Sequence, residues 1–435
     1  MPRPLKQFRR NLPLTILSWV MLFSALTQVQ GELRGQSMDL ERLTRGRVMA
    51  IPFELKNGFI IVHIGLDGLP PMNFLVDTGA ENTVLFEKAI ADLMGVTYRR
   101  GFSVMGSDLD RELLAYLATG IDMTFADVLI ARQRNMLVLD RNDFNFETIV
   151  GANVQGILGA DFLMRFVVEI DYKFKELRLH DPRHWKSGRR YRRIPAKFTR
   201  HRPFIYLRVG VRDPEATTRK LLLDSGANLT LLLHTYPDSL RAGRTDTLTP
   251  LTDIPELTVP STIANGLGGS LSGSVGRSRL VRLAGKDLTG TVTYFQPIDT
   301  SLQRRLADRQ GIIGNELLRR YNVVIDYPRE RVFLRAERKT WKEAFTYDRA
   351  GLNVVATGPN LKSYNVSSVV PGSPADEAGL RVGDRLLGVN GTPTYLLTLD
   401  NILNRFEGRV GKRIRLRYVR DGQIYVAEFY LRDLI

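Results

Sequence analysis

Apolar residues recur along the chain in short, β-branched or aromatic runs rather than at helical spacing. Phe59–Ile64, Val167–Ile170, Leu177–Leu179, Val323–Ile325 and Val332–Leu334 are bounded by Gly, Asp, Pro or charged pairs and read as strands. Helical periodicity is scarce, with Glu87–Met94 and Asn315–Arg319 the better short candidates. The last stretch has its own rhythm. Tyr364–Val370 reads as a strand, Pro371–Leu380 as a turn into a short helix, and Leu399–Phe406 as an amphipathic helix. Arg413–Arg417 and Gln423–Tyr430 then form a hairpin around Asp421-Gly422. The pattern predicts a mainly β protein with a small α+β unit at its end.

One further apolar run, Leu12–Leu26, differs in kind. It follows Arg3, Lys6, Arg9 and Arg10 with no acid nearby, and precedes Val29-Gln30-Gly31. A basic segment, an apolar core and small residues read as a secretory signal over residues 1–31. The run is short for a bilayer span, which needs ~20 residues, and it is weakened by Pro13 and Ser18. The expectation is an exported protein, periplasmic or extracellular in a bacterial envelope, with no stable membrane span in its mature form. The 435 residues contain no Cys, which excludes disulfides, thiol nucleophiles and Cys-based zinc sites. That length suggests about three domains.

Two of those domains are copies of one plan. The first contains Ile51-Pro52-Phe53, Phe59–Ile64 and Phe74-Leu75-Val76-Asp77-Thr78-Gly79-Ala80. The second contains Ile194-Pro195, Phe204–Val209 and Leu221-Leu222-Leu223-Asp224-Ser225-Gly226-Ala227. Each has a Thr six positions after its Asp, Thr83 and Thr230. Gly156-Ile157-Leu158-Gly159 is echoed by Gly311-Ile312-Ile313-Gly314, and each is followed by Ile-Asp-Tyr, with Asp171 and Asp326. Those two Asp residues read as turn starters after buried strands. The predicted organisation is a first lobe at 32–185, a basic linker at 186–193, a second lobe at 194–340 and a last unit at 346–435.

An apolar strand ending in Asp-Thr-Gly or Asp-Ser-Gly puts a carboxylate at the mouth of a buried strand. The hydroxyl can hold the loop, and Gly permits close approach. One triplet is ordinary turn chemistry. Two at matching positions in a duplicated lobe would bring Asp77 and Asp224 together, where one proton is shared between like charges.

On these residues the chain resembles the aspartic proteases of the retropepsin and pepsin type, over about residues 50–338. Val76-Asp77-Thr78-Gly79-Ala80 resembles the retroviral active-site run, and Leu223-Asp224-Ser225-Gly226-Ala227-Asn228-Leu229 is similar to the pepsin-like one. Ile157-Leu158-Gly159 and Ile312-Ile313-Gly314 match the family's second hallmark, two hydrophobic residues and a Gly that brace the catalytic loop. The resemblance implies a bilobal acid-protease fold in which Asp77 and Asp224 activate a water for attack on a peptide carbonyl. Thr78, Gly79, Ser225, Gly226, Gly159 and Gly314 would support the dyad, with no metal and no cofactor. An alternative pairing would form dyads between two copies of one lobe; intrachain pairing costs less entropy.

The family closes a hairpin flap over its substrate. Met105 and Gly106 stand where the first lobe's flap should be, without the tyrosine of pepsin-type flaps, and Gly268 and Gly269 form a glycine-rich tip in the second.

The run Pro371–Gly391 closely resembles a PDZ domain of the bacterial type, covering roughly 346–435. The resemblance implies β-augmentation by an extended peptide, with C-terminal peptides as partners and the carboxylate-binding loop at Gly351, Leu352, Asn353 and Val354. No Gly-x-Ser-x-Gly elbow accompanies it.

The net charge of +16 suggests an anionic partner until it is located. Residues 1–31 contribute +4 and residues 183–202, with nine Lys/Arg and no acid, contribute +9. The strip between the repeats reads as a solvated linker or lobe edge and not as a nucleic-acid site. His180 and His184 are four apart, but Pro182 between them argues against a metal-binding helix. The sequence therefore points to an exported aspartic endopeptidase acting on polypeptides, its PDZ unit recruiting or gating them. The competing reading is a non-catalytic peptide-binding protein that uses the cleft and the PDZ groove as receptors.

Overall fold

Strand after strand in the two copies takes the equivalent place in its own sheet. The chain is described by a computed structural model over residues 39–42, 48–105, 112–126, 128–142, 145–212, 216–235, 254–266, 269–298 and 309–435. The signal expected at 1–31 lies outside the described residues. In the first copy, Leu129–Leu139, Val84–Leu85, Gly156–Leu158, Met72–Val76, Phe59–Leu66 and Glu112–Phe125 pair in that order, and the last closes on the first. In the second, Lys286–Pro297, Leu231–Thr235, Gly311–Ile313, Thr217–Leu223, Arg202–Gly210 and Gly269–Leu283 do the same. Even the parallel pairings recur, Gly156–Leu158 on Met72–Val76 and Gly311–Ile313 on Thr217–Leu223. The fold is mainly β, with two closed six-stranded barrels and a PDZ domain.

A third sheet joins the barrels. Its order is Arg192–Ile194, Arg331–Ala336, Tyr321–Asp326, Val167–Asp171, Glu176–His180 and Val48–Pro52, three strands from each copy. At its centre Glu169 pairs with Val324. Asp171 and Asp326 are 155 positions apart, so Glu169 faces its own counterpart and the pseudo-two-fold axis passes there. The basic segment between the repeats is not wholly a solvated linker. Arg192–Ile194 pairs with Val332–Leu334, burying Ile194 and leaving both arginines outward. Asp171 accepts from the Lys173 and Phe174 N–H groups, and Asp326 from that of Arg329, as turn starters do.

The joining sheet carries a buried charge. Glu169 bonds to His180 Nε2 at 2.8 Å and accepts from Asn322 Nδ2 at 3.0 Å and Arg178 at 3.2 Å. Burial alone would raise its pKa. The hydrogen bonds of His180 and Asn322 and the charges of His180 and Arg178 outweigh burial and hold it at about 2. A carboxyl depressed on folding contributes stability above its unfolded value, and that contribution is lost as pH falls toward the folded one. Glu169→Gln should therefore lose stability on the order of 3 kcal/mol at pH 7. The gap from wild type should shrink between pH 4.5 and 2, read by urea unfolding; a gap independent of pH would contradict this.

The last unit is a sheet ordered Leu352–Thr357, Ser363–Val369, Arg385–Val389, Arg413–Arg420, Gln423–Tyr430. Helix Leu399–Phe406 starts at a capping box between Thr398 and Asn401. Asp421 and Gly422 both take positive φ, the two-residue turn that an Asp-Gly hairpin demands. The unit has its own apolar core and is tied to the second barrel by Arg277, which donates to the carbonyls of Phe345 and Ile435. Among the described residues, no helix is long and apolar enough to cross a membrane.

Candidate active site

The repeated Ile/Leu-Gly run explains how each Asp is presented. Asp77 N–H donates to Leu158 O at 3.1 Å, and Asp224 N–H to Ile313 O at 3.0 Å. Each apolar run thus continues the ladder one residue past the strand that ends in Asp. A Cβ on Gly159 or Gly314 would collide with the backbone of Asn82 or of Ala227 and Leu229, so the brace has room only for Gly there. In the first lobe Thr83 finishes the brace: its hydroxyl donates to Asp161 at 2.7 Å and accepts from Gly159 N–H at 3.3 Å.

The two loops then cross. Thr78 Oγ1 donates to Leu223 O at 2.8 Å and accepts from Ser225 N–H at 3.0 Å. Ser225 Oγ donates to Val76 O at 2.7 Å and accepts from Thr78 N–H at 3.1 Å. Both side chains are fully buried. This exchange is made within one chain, so the dyad needs no second copy.

Asp77 and Asp224 meet above it, each largely buried and hydrogen-bonded to the other. Asp77 Oδ1 accepts from the N–H groups of Gly79 (2.7 Å) and Ala80 (3.0 Å), and Asp224 Oδ1 from that of Gly226 (2.8 Å). A Cβ on either Gly would press into the opposite carboxylate. Burial, and next the charge of Asp224, raise the Asp77 pKa well above the ordinary carboxyl range. Burial raises Asp224 as well, against the hydrogen bond from Asp77 and the nearby cations Arg309 and Arg202. The pair therefore shares one proton and carries one charge between its two carboxyls.

Some participants escaped the sequence reading. Arg309 occupies the position that Val154 holds in the first copy, and that polar-for-apolar exchange was the available signal. Asn315 Nδ2 donates to Ser225 O and to Gly58 O, bracing the Asp224 loop from behind. Of the flap candidates, Met105 ends strand Thr97–Met105, paired with Glu112–Phe125, and Gly269 starts the hairpin partner of Val259–Gly266. Both lobes thus carry a long hairpin at the same place. Gly106 and Gly268 lie outside the described residues. His180 and His184 do not converge: His180 binds Glu169, and His184 lies 3.5 Å from Asp181.

Comparison with known proteins agrees with this architecture. Residues 62–162 match the family model of an aspartyl protease, and residues 366–420 that of a PDZ domain. The chain thus carries an aspartyl protease domain and a C-terminal PDZ domain. It is similar to a carboxyl-terminal-processing protease of Synechocystis, 33% identical over 78 residues, or 18% of each chain. Among solved structures it is similar to a photosystem II D1 C-terminal processing protease (24% identity, 20% of this chain and 23% of that one, TM-score 0.19). Another is Basic 7S globulin from soybean (11% identity, 69% of this chain and 99% of that one, TM-score 0.40). The chain spans less than a quarter of the length of the two processing proteases.

Proposed function

We propose that this chain is an aspartic endopeptidase that hydrolyses polypeptides. The observation that carries the reading is the mutually hydrogen-bonded carboxyl pair, raised by burial and held by backbone N–H groups across a junction that two buried hydroxyls close. Ionised Asp224 takes a proton from water as the water oxygen bonds to the peptide carbonyl carbon, and Asp77 gives its proton to the carbonyl oxygen. In collapse, Asp224 returns its proton to the leaving nitrogen, the C–N bond breaks, and a hydroxyl proton of the intermediate goes back to Asp77. Each carboxyl ends as it began. The N-terminal pattern of Arg3 to Gly31 supports export to a bacterial envelope, and the PDZ unit supports recruitment or gating of polypeptides.

The processing-protease relatives make the class of chemistry the point to test. A peptide with a secondary alcohol in place of the scissile amide imitates the tetrahedral intermediate and should inhibit cleavage about a hundredfold more tightly than the matching substrate binds. A fluorophosphonate that phosphonylates serine nucleophiles should leave activity intact. Inactivation by the fluorophosphonate, with no inhibition by the alcohol, would overturn the aspartic reading.

A further inference from the structure

The edge strand of the PDZ unit, Leu352–Thr357, pairs on one side only, with Ser363–Val369. Its other side is where an extended peptide would add, with a chain-end carboxylate received by the N–H groups at the strand's start. Those groups are already taken. Asp348 accepts from Ala350 N–H at 2.9 Å and from Leu352 N–H at 2.8 Å, and Gly351 N–H also bonds to it. Beside it Arg349 reaches across to the end of the groove helix, donating to the carbonyls of Glu407 and Gly408.

The far end is closed from another domain. Helix Phe146–Val150 of the first lobe packs on Leu352–Thr357, as does the groove helix Leu399–Phe406. Gly151 lies so close to Leu399 that a Cβ there would sit 3.0 Å from the leucine's own. Asp400, in the first turn of the groove helix, accepts from Asn57 N–H at 2.7 Å, and Asn57 Nδ2 donates to Ile149 O at 2.8 Å. Leu352, Val354, Ala356, Leu399, Ile402 and Phe406 of the strand and helix are buried, and Val355 and Leu403 are partly so.

We propose that the PDZ groove is closed at both ends by this chain itself, with Asp348 in the place of a ligand's carboxylate and segment 145–151 over the groove. The unit is then an internal clamp on the first lobe and not an open receptor for free C termini. Its grip reaches the dyad. Asn57 adjoins Gly58, whose carbonyl accepts from Asn315, and Asn315 also holds the Ser225 carbonyl next to Asp224. The Asp348 carboxyl fits an enclosed role, since burial raises its pKa to about 7 although three N–H groups oppose the rise. The clamp refines the gating role proposed above, but its binding test is independent of any cleavage.

The test uses the full chain carrying Asp77→Asn, so that no peptide is cut. A dye-labelled peptide ending in an apolar residue is titrated by fluorescence anisotropy, as the free carboxylate and as the amide. Neither should saturate at submillimolar protein. Adding Asp348→Ala and Asp400→Ala should open the groove and favour the carboxylate form about tenfold or more over the amide. Saturable binding of either peptide to the Asp77→Asn chain overturns the proposal, and so does a folded triple variant that binds neither. Should the triple variant not fold, hydrogen exchange on the Asp77→Asn chain decides. Protection at 57–58, 146–151 and 352–357 is expected to ignore excess peptide, and a peptide-dependent change there overturns it.

Discussion

Asp77→Asn and Asp224→Asn should each lower kcat/KM on an unfolded protein substrate by about 10³–10⁴-fold, and the double variant should lose little more. Either substitution removes one of the two positions between which the proton alternates, so neither remaining carboxyl can complete the cycle. The fold should survive. Asn keeps the oxygen that accepts from Gly79 and Ala80, or from Gly226. Stability should in fact rise at neutral pH. An Asp whose pKa is raised on folding gives its full contribution below the unfolded value and loses it as pH climbs through the folded one. Burial raises both carboxyls, so each variant should gain. Cleavage assays and thermal melts at pH 4 and pH 7 read both effects. Wild-type turnover by either variant would show that cleavage does not run through this pair, and no turnover by the wild type itself would favour the non-catalytic, peptide-binding reading.

How much of this was legible beforehand follows the range of the interactions. Strands such as Phe59–Leu66 and Arg331–Ala336 are written locally, because β-branched and aromatic residues crowd between turn formers. The duplication was legible because two barrels built alike need the same landmarks in the same order. Features that rest on one polar contact between distant residues were not. Asp400 meets Asn57 across 343 positions, and Asn322 meets Glu169 across 153. A buried carboxylate looks like any surface acid until its donors are known. Thr83 shows the intermediate case: its recurrence as Thr230 was visible, but its partner Asp161 was not, since the second copy has Glu316 there. The basic strip was read as linker or lobe edge, and which residues form the edge strand was hidden for a related reason. Arg192 and Arg193 are outward residues of a strand, and their charge hid the single buried Ile194 that pairing secures. The loop at Gly351–Val354 was read by its place in a family, and only the neighbouring Asp348 reveals that its N–H groups are satisfied from within.

The largest expected loss of stability comes from the crossed hydroxyls beneath the dyad. Thr78→Val keeps shape and volume but leaves Leu223 O and Ser225 N–H buried without that partner. Each orphaned group costs about 1–3 kcal/mol, so the variant should lose about 2–5 kcal/mol in urea unfolding. Ser225→Ala orphans Val76 O and Thr78 N–H and should cost a similar amount. The hydroxyls bond to backbone and not to each other, so the two penalties fall on four different groups and should nearly add. Their sum approaches the whole stability of a typical domain, about 5–15 kcal/mol, and the double variant should not hold the lobes together. Thr78→Ser is the control: it retains the hydroxyl, loses one methyl, and should stay within about 1.5 kcal/mol of wild type. Activity should follow in the same order, because this exchange ties Val76 to Ser225 and Leu223 to Thr78 and so fixes the spacing of the residues that immediately precede Asp77 and Asp224. Equal stability of Thr78→Val and Thr78→Ser would show that the junction rests on apolar packing and that the hydroxyls are incidental to it.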